Sequence, residues 1–378
     1  MRSGGQIRIY NILKRLAQTH EITLVSFIRK EEERESLSAL DFCKEVHVIM
    51  RGSAWQPRYL FSALVSKFSF LLATYENSQM RQLLRDLLVR DTYDVLHVEP
   101  FYVWPSIPVT SVPMVISEHN VEYEVYLQYV KRFRIVPMRP LMWLDVMKLT
   151  HWERAIWQKA RTITAVSPED AQQITKQGNK SVVVVPNGVD LKQFPYRTKR
   201  PAHSAPQLLF VGDFQWFPNT DALYTLLNDI WPKVKQKYAR AKLRIVGRHI
   251  SSNLKSEILA SGAEIGEDVE DISVEYRDAD MLVAPHGISG GTKFKMLEAM
   301  ASGLAVITTH EGAAGLQLIA GTHFLLAQMP DEFVDHIQLL WEHKTTYAKM
   351  VRSARDHVEK EFSWDAIAGS LEKVWKNV

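Results

Sequence analysis

Short apolar runs of strand length alternate along the chain with longer segments whose apolar residues recur every three to four positions. The first half predicts strands at residues 22–27, 45–49, 95–98, 114–117, 162–166 and 182–185. The second half predicts strands at residues 207–211, 242–246, 281–284 and 304–308. Helices are predicted between them at residues 5–17, 78–89, 141–159, 168–176, from an N-cap at Asn219 toward 238, and from 364 to 378. This alternation is typical of βαβ units, so we expect an α/β fold with mostly parallel sheets covered on both faces.

A polar, proline-bearing stretch separates the strand that ends at Val185 from the strand that begins at Gln207. Such composition is typical of a linker, and it predicts two doubly wound domains, over residues 1–190 and 205–360. The last segment, 361–378, is predicted as a helix that either returns to the first domain or stays with the second.

Composition excludes several classes of protein. Of the 378 residues, 46% are hydrophobic and 24% are charged, which is ordinary for a globular protein and argues against disorder, collagen, a coiled coil and a polytopic membrane protein. The net charge of +3 gives no case for nucleic acid as a partner. Cys43 is the single cysteine, so no internal disulfide forms, and we expect a cytoplasmic protein.

The strongest chemical signal is the segment 284–303, in which a strand is followed by a glycine-rich turn and a helix. Backbone N–H groups at such a turn and the positive end of the helix dipole bind phosphate. Lys293 and Lys295 add positive charge in the first turn, and Glu298 lies one turn further on, where its carboxylate can accept hydrogen bonds from ribose hydroxyls. The alternative is a plain turn whose solvated lysines pair with Glu298.

Polar residues also follow a strand end in the first half. Glu118, His119 and Asn120 come directly after the strand at 114–117, and ligands of open α/β sheets bind beyond the carboxyl ends of strands. The alternative is a loop whose side chains cap backbone groups. His97 and Glu99 follow the preceding strand and are a weaker candidate on the same argument.

Two further features have two interpretations each. Gly4 and Gly5 precede an apolar-patterned helix and form either a second ligand-binding turn or an ordinary helix start. Residues 51–70 mix aromatic and basic side chains, and the apolar stretch 59–75 is too short for a bilayer span of about 20 residues. This region predicts either a helix resting on an anionic membrane surface or a core helix with one wet face.

Together these segments resemble the retaining glycosyltransferases of family 4, over nearly the full length of the chain. The resemblance is carried by Ser-Gly-Gly at 3–5, Glu-His-Asn at 118–120, Val-Pro-Asn-Gly-Val-Asp at 185–190, Val211-Gly212, and the run Gly-Thr-Lys-Phe-Lys-Met-Leu-Glu-Ala-Met at 291–300. It implies the GT-B fold: two facing Rossmann-like domains with a cleft between them. The subgroup that the chain looks closest to is the bacterial exopolysaccharide-type sugar transferases.

The resemblance also implies roles for individual residues. Lys293 and Lys295 match the basic residues that hold the donor diphosphate, and His119 matches a histidine near the reacting sugar; these three are the predicted catalytic residues. The other donor-binding positions are Gly212, Gly290, Gly291, Thr292 and Glu298. The acceptor-side positions are Gly4, Gly5, Glu118 and Asn120.

Two positions depart from the family pattern. Gly290 stands where the first Glu of the Glu-x7-Glu motif is expected, so the contact it makes to the donor sugar must come from elsewhere. Asp213 replaces a basic residue, which leaves Lys293 and Lys295 to supply most of the charge that faces the diphosphate.

We therefore expect a metal-independent hexosyltransferase without a cofactor. Its donor would be a UDP- or GDP-linked sugar and its acceptor a glycan or a lipid-linked sugar, in surface polysaccharide synthesis at the inner face of the plasma membrane. A GT-B-type nucleotide-sugar epimerase and a non-catalytic two-domain sugar-binding protein are the alternatives.

The N-terminus carries a separate expectation. In a Rossmann-like domain the glycine turn follows a central strand, yet only three residues precede Gly4. The pattern predicts an apolar strand of about 5–6 residues encoded upstream in frame, or another segment in its place. Full activity of a stable protein that starts at Met1 would contradict the first interpretation.

Overall fold

The chain forms two compact units in a computed structural model that describes residues 4–132, 135–178, 181–287 and 294–378. Unit 1 comprises Met1–Pro186 and Ile367–Val378, and unit 2 comprises Asn187–Ala366. The boundary after Pro186 lies in the proline-bearing stretch, and the end of the chain belongs to unit 1.

The strands follow the predicted apolar runs closely. They are β1 (Thr23–Ile28), β2 (Glu45–Met50), β3 (Leu96–Val98), β4 (Met114–Glu118), β5 (Thr162–Ala165), β6 (Val182–Val184), β7 (Gln207–Asp213), β8 (Lys242–Arg248), β9 (Glu264–Glu267), β10 (Met281–Ala284), β11 (Ala305–Thr308) and β12 (Leu325–Leu326).

Helices connect these strands. They are α1 (Gly4–Leu16), α2 (Pro57–Val65), α3 (Phe70–Ala73), α4 (Ser78–Arg90), α5 (Glu122–Arg132), α6 (Arg139–Lys159), α7 (Pro168–Lys176), α8 (Phe217–Thr225), α9 (Trp231–Lys237), α10 (Ser252–Ala260), α11 (Ile272–Asp278), α12 (Phe294–Ala301), α13 (His310–Ala313), α14 (Pro330–Glu342), α15 (Lys344–Glu361) and α16 (Trp364–Lys376). Three 3-10 helices cover Glu31–Leu40, Phe101–Ser106 and Val136–Met138, and a π-helical stretch, Leu226–Ile230, joins α8 to α9.

Every strand pair of the described residues is parallel, which confirms the predicted α/β class with parallel sheets. Unit 2 has one six-stranded sheet in the order β12-β11-β10-β7-β8-β9. Its inner strands β10 and β11 are buried at every position, because helices cover both faces.

Unit 1 has two sheets, a pair β1-β2 and a four-stranded sheet β3-β4-β5-β6. Within the described residues, β1 pairs only with β2, and β3 pairs only with β4. No other described strand is hydrogen-bonded between β1 and β3. The expectation of an upstream strand stays a prediction.

Two local predictions are wrong. Asn219 is not an N-cap: α8 begins two residues earlier at Phe217, with Pro218 in its first turn, and Asn219 is buried inside the helix. The stretch 59–75 is not one helix: α2 ends at Val65 and α3 begins at Phe70, after an N-cap at Ser69. No helix among the described residues has an apolar stretch long enough to cross a bilayer.

The carboxyl ends of β7 and β8 approach each other so closely that only glycine fits. Gly212 and Gly247 are partners in the parallel register. A Cβ on Gly247 would lie 1.9 Å from the Gly212 carbonyl oxygen and 2.7 Å from the Phe214 ring. Only glycine therefore fits at position 247 without a shift of the backbone.

We predict that Gly247→Ala lowers the free energy of unfolding by about 1–3 kcal/mol, because the backbone of β7 must shift to accept the methyl group. Urea unfolding followed by circular dichroism measures this loss. The matched control is Gly369→Ala in α16, where a Cβ meets nothing within 4 Å. That change should raise the free energy of unfolding by about 0.5–1 kcal/mol, since alanine favours helix. Equal effects of the two substitutions would contradict the prediction.

Candidate active site

In unit 2, Asn219 lies beside the carboxyl end of β7 and positions a lysine. Its Nδ2 donates to the carbonyl oxygen of Asp213 at 2.8 Å, and its Oδ1 accepts from Lys295 Nζ at 2.7 Å. Gly212 makes this packing feasible, because a Cβ there would lie 3.2 Å from the Cβ and Cγ of Asn219. The amide thus fixes the Lys295 ammonium at the edge of the sheet where ligands of α/β folds bind.

Lys295 has two further neighbours. Its Nζ lies 3.3 Å from Nε2 of the buried His286, which follows β10, and 5.3 Å from the centre of the Phe210 ring. An ammonium group can only donate, so Nε2 accepts and the imidazole proton of a neutral His286 resides on Nδ1. The ammonium therefore lies near an amide, an imidazole and a ring face, at the end of the sheet.

Glu298 lies one helical turn beyond Lys295 in α12. Its Oε2 accepts from the Tyr276 hydroxyl at 2.8 Å. Burial raises the pKa of Glu298 to about 7, although the hydrogen bond from Tyr276 and the positive charge of Lys295 act in the opposite direction. Near neutral pH the carboxyl group is therefore divided between its two protonation states.

Four of the predicted site residues, Gly290, Gly291, Thr292 and Lys293, lie outside the described residues. At the start of that turn, a Cβ on Gly287 would be 3.5 Å from Oδ2 of Asp221 in α8. After α12, Gly303 has φ +74°, the left-handed conformation expected of a residue that ends a helix.

In unit 1 the centre of the candidate site is Glu99, a buried carboxylate that follows β3. Its Oε1 accepts from Arg8 Nε at 2.8 Å and from His119 Nε2 at 2.6 Å, and His97 Nε2 lies 3.1 Å from Oε2. Burial alone would disfavour its charge. The Arg8 guanidinium and the hydrogen bonds from His119 and His97 nevertheless hold the pKa of Glu99 well below its usual range. Glu99 is therefore ionised at neutral pH.

The network assigns the protons of both imidazoles. Trp375 Nε1 donates to His97 Nδ1 at 3.1 Å, so the Nε2 of His97 carries the proton that faces Glu99. His119 likewise donates from Nε2 to the ionised carboxylate. Its other face meets the start of α1, because a Cβ on Gly5 would lie 3.6–3.7 Å from Cε1 and Nδ1 of His119. The structure thus brings Gly5 of the predicted acceptor side, with Gly4 next to it in α1, to His119, which is a predicted catalytic residue.

The other two acceptor-side residues lie differently. Glu118 is buried, and its Oε1 accepts from Trp157 Nε1 at 2.6 Å while Oε2 has no partner among the described residues. Burial and then the charge of Glu153 raise the pKa of Glu118 well above its usual range. Because side chains alternate along β4, Glu118 packs into the core. Asn120 donates from Nδ2 to the carboxyl oxygen Oε1 of Glu122 at 3.4 Å, a bond between side chains and not the backbone cap of the alternative interpretation.

Sequence reasoning misses most partners of the predicted residues. Arg8 lies within the amphipathic pattern of a helix, and nothing in the local sequence indicates a site there. His97 and Glu99 follow a predicted strand and are a weaker candidate than residues 118–120. In unit 2, Asn219 has the side chain of a helix cap, and His286 directly follows a buried strand, a position that could have identified it. The described residues contain no group of three His, Cys, Asp or Glu side chains arranged to hold a metal ion.

The chain matches two protein-family models. The model described as Glycosyltransferase Family 4 matches residues 2–193, more than half of the chain, and the model described as Glycosyl transferases group 1 matches residues 205–343. The first match covers most of unit 1 and the second covers the strands and turns of unit 2 that carry Asn219, Lys295 and Glu298.

Individual relatives are distant. An uncharacterized 44.6 kDa protein in the cps region of Klebsiella pneumoniae is 22% identical over 99% of this chain and 95% of its own length. The phosphatidyl-myo-inositol mannosyltransferase of Mycobacterium tuberculosis is 26% identical over 52% of this chain and 54% of its own length. The chain spans about half the length of most of the curated relatives that it matches.

The solved structures show the same architecture. HepE of Anabaena, in complex with UDP and glucose, superposes with a TM-score of 0.67 at 12% identity, over 100% of this chain and 98% of that one. At this identity the likeness shows the fold alone. Taken with the matches of both units to family models, it shows that the chain belongs to Glycosyltransferase Family 4 and has the GT-B fold with two Rossmann-like domains.

Proposed function

We propose that the chain is a glycosyltransferase that moves a sugar from a nucleoside-diphosphate sugar to a glycan or lipid-linked acceptor, with retention at the transferred carbon. The C1–oxygen bond to the β-phosphate breaks and the nucleoside diphosphate takes the electron pair. The acceptor oxygen forms the new bond to C1, and its proton passes to the departing phosphate. Retention is the outcome that the family resemblance implies.

The observation that carries this proposal is the position of Lys295. Its Nζ is fixed by Asn219 and His286 at the carboxyl edge of the sheet, in the first turn of the helix that follows the glycine-rich segment. Negative charge grows on the diphosphate as the glycosidic bond breaks, and a preorganised cation stabilises that charge more than it stabilises the bound donor. We propose that Lys293, Gly290, Gly291 and Thr292 contribute to the same anion site.

Glu298 is proposed to bind the ribose of the donor. Its carboxylate already accepts one hydrogen bond, from Tyr276, and an ionised carboxylate has further lone pairs for two ribose hydroxyls. The UDP in the complex of HepE supports a UDP-linked donor, and a GDP-linked donor stays open.

Unit 1 is proposed to serve the acceptor and the reacting sugar. Glu99 holds the Nε2 proton of His119, so the imidazole keeps one orientation and presents its other edge, beside Gly5, to a ligand. Gly4 and Asn120 are proposed to complete this side, with Glu118 behind it as a positioning residue that holds the end of β4 through Trp157.

Three finer points belong to the same proposal. The lysines and the helix dipole supply the positive charge that a metal ion provides elsewhere, so transfer needs no metal. The relative from the cps region of Klebsiella pneumoniae supports a role in surface polysaccharide synthesis. The mannosyltransferase, which its name links to a phosphoinositide, supports a lipid-linked acceptor, and we propose that the protein acts in the cytoplasm at the inner face of the plasma membrane.

One experiment separates the proposal from its alternatives. The protein is incubated with UDP- and GDP-sugars, with and without lipid-linked acceptors, and in EDTA, and the release of nucleoside diphosphate is measured. A transferase releases nucleoside diphosphate in step with acceptor consumption. An epimerase changes the donor sugar without releasing the nucleotide, and a binding protein does neither.

We predict that Lys295→Ala lowers the rate of nucleoside diphosphate release by about 10²–10³-fold, because one preorganised charge contributes on the order of 3–4 kcal/mol to the transition state. Steady-state kinetics measure the loss, and circular dichroism checks that the fold is intact. The control is Lys255→Ala, which removes a surface lysine of unit 2 that pairs with Glu267. Normal kinetics of Lys295→Ala would exclude the assigned role.

We predict that affinity for UDP-glucose rises between pH 6 and pH 8. The pKa of Glu298 is raised to about 7, so the carboxylate that accepts from the ribose becomes populated as the pH increases through that value. Calorimetry with UDP-glucose measures this, because the diphosphate diester of that ligand does not titrate in the same range.

Glu298→Gln is the matched variant. It should bind UDP-glucose with little dependence on pH, and at pH 8 it should bind less tightly by roughly 1.5–3 kcal/mol, the range for a hydrogen bond to a charged group. A pH slope that persists in Glu298→Gln would assign the titration to another group, and unchanged affinity would remove Glu298 from the donor site.

A further inference from the structure

We propose that unit 1 carries a docking surface for an anionic phospholipid bilayer, formed by α2 and the first half of α6. The inference rests on the membrane location within the proposed function and identifies the surface that makes the contact; its argument does not use the transfer reaction. It is built from exposure, hydrogen bonds and charge in two segments of unit 1.

Exposed apolar side chains are concentrated in these two segments. Of the 25 large apolar side chains that are exposed in the described residues, 13 lie in the segments 55–65 and 129–147, which hold 30 of the 378 positions. We call these 13 side chains the apolar plate. Phe61 and Leu64 on α2 are 66% and 60% exposed, and Leu144 and Met147 on α6 are 57% and 61% exposed. Clusters of this kind on a folded protein mark interaction sites.

The plate has the geometry of amphipathic helices lying on a surface. At about 100° per residue, Leu141, Trp143, Leu144 and Met147 occupy one arc of α6 about 160° wide. The exposed apolar residues of α2 cover a similar arc, whereas its Tyr59 is buried. Each helix therefore buries one side and presents a continuous apolar face on the other.

The two helices are fastened to each other. Lys148 Nζ donates to the carbonyl oxygens of Ala63 at 2.7 Å and Ser66 at 2.9 Å, and Trp152 Nε1 donates to the carbonyl oxygen of Lys67 at 2.9 Å. The C-terminal end of α2 is thus fixed to the middle of α6. From this attachment we infer that the two apolar faces form one surface.

Positive charge accompanies this surface. Residues 51–67 and 128–148 contain eight Lys and Arg and a single acidic residue, a net charge of +7, whereas the remainder of the chain has a net charge of −4. The acidic residue, Asp145, accepts from the backbone N–H of Phe70 at 2.7 Å. Arg58 and Lys131 are exposed. An apolar face with basic residues is the combination that binds anionic lipid surfaces.

The charge also argues against a second copy of the chain as the occupant. Two plates in contact would bring exposed basic residues such as Arg58 and Lys131 of both copies into one interface while both lose water, which is unfavourable. An anionic bilayer offers acyl chains to the apolar faces and phosphate groups to Arg58 and Lys131. We therefore assign the plate to the membrane.

The test uses the full chain and vesicles in co-sedimentation, with neither donor nor acceptor present. We expect binding to phosphatidylcholine vesicles that contain about 30 mol% phosphatidylglycerol, at least about tenfold tighter than to phosphatidylcholine alone. Raising NaCl from about 0.05 to 0.5 M should weaken it strongly, because salt screens the attraction. Absence of binding to the anionic vesicles at low salt would overturn the proposal.

Apolar variants locate the surface. Phe61→Ser with Leu64→Ser, and separately Leu144→Ser with Met147→Ser, should each lower vesicle affinity at least about tenfold. The matched control is Leu259→Ser with Ile319→Ser in unit 2, where the exposed fractions are 61% and 60%. Equal losses in the plate variants and in the control would overturn the assignment.

Charge variants test the basic contribution. Arg58→Gln with Lys131→Gln should weaken binding by about fivefold per charge, on the basis of about 1 kcal/mol for each basic residue near an anionic surface. The control is Lys192→Gln with Lys199→Gln, two exposed lysines of unit 2. If only the control variant lost binding to the vesicles, the membrane contact would lie outside the apolar plate and the assignment would fail.

Two measurements distinguish the membrane surface from a contact between copies and from the donor site. If light scattering shows that the parent protein self-associates while Phe61→Ser with Leu64→Ser is monomeric, and neither binds vesicles, the plate is an interface between copies and the proposal fails. Calorimetry with UDP-glucose reports on the donor site. Retained vesicle binding without donor binding would contradict only the proposed function, and the reverse would contradict only the docking surface.

Discussion

Unit 1 depends on one buried negative charge. The carboxylate of Glu99 receives Arg8 from α1 and His119 from the end of β4, and His97 links it to Trp375 in α16. An isolated carboxylate in that position would be strongly disfavoured, and its partners would be disfavoured without it. Helices from both ends of the sequence are therefore tied to the ends of two parallel strands by a set of mutually dependent hydrogen bonds.

In unit 2 the candidate site residues are held in place by a different kind of contact. Gly212 and Gly247 let two strand ends approach closely, α8 packs down onto that edge, and the buried amide of Asn219 bridges the end of β7 to Lys295. In unit 1 the candidate site residues are held by charge, and in unit 2 by close backbone packing and a neutral amide. Both sets lie at carboxyl ends of parallel strands, which is where open α/β sheets place their ligands.

Local pattern predicts much of the fold. Apolar runs such as residues 281–284 are buried on both faces, so their composition alone indicates parallel strands, and the structure confirms them. The short strands β9 and β12 escape prediction, because Glu-Ile-Gly-Glu and Leu-Leu are too short to show a period. The side chain of Asn219 suits a helix cap, but Pro218 lets the helix start earlier.

The candidate site is likewise predicted from the sequence only in part. The end of a strand indicates His119, and the glycine-rich sequence before residue 294 indicates Lys295. Arg8 by contrast contacts Glu99 across 91 positions, a contact that no local pattern predicts. Glu118 and His119 are neighbours in sequence, yet Glu118 accepts from Trp157 in the core while His119 contacts Glu99, a difference that the local sequence does not predict.

The return of residues 367–378 to unit 1 has a consequence for biosynthesis. During translation, residues 187–366 of unit 2 leave the ribosome before residues 367–378 do, and until then His97 of unit 1 lacks the indole of Trp375. Throughout that interval, folding of the first half is incomplete while the second half already has every residue that it needs. Unit 1 therefore receives its residues 367–378 only after every residue of unit 2 has been synthesised.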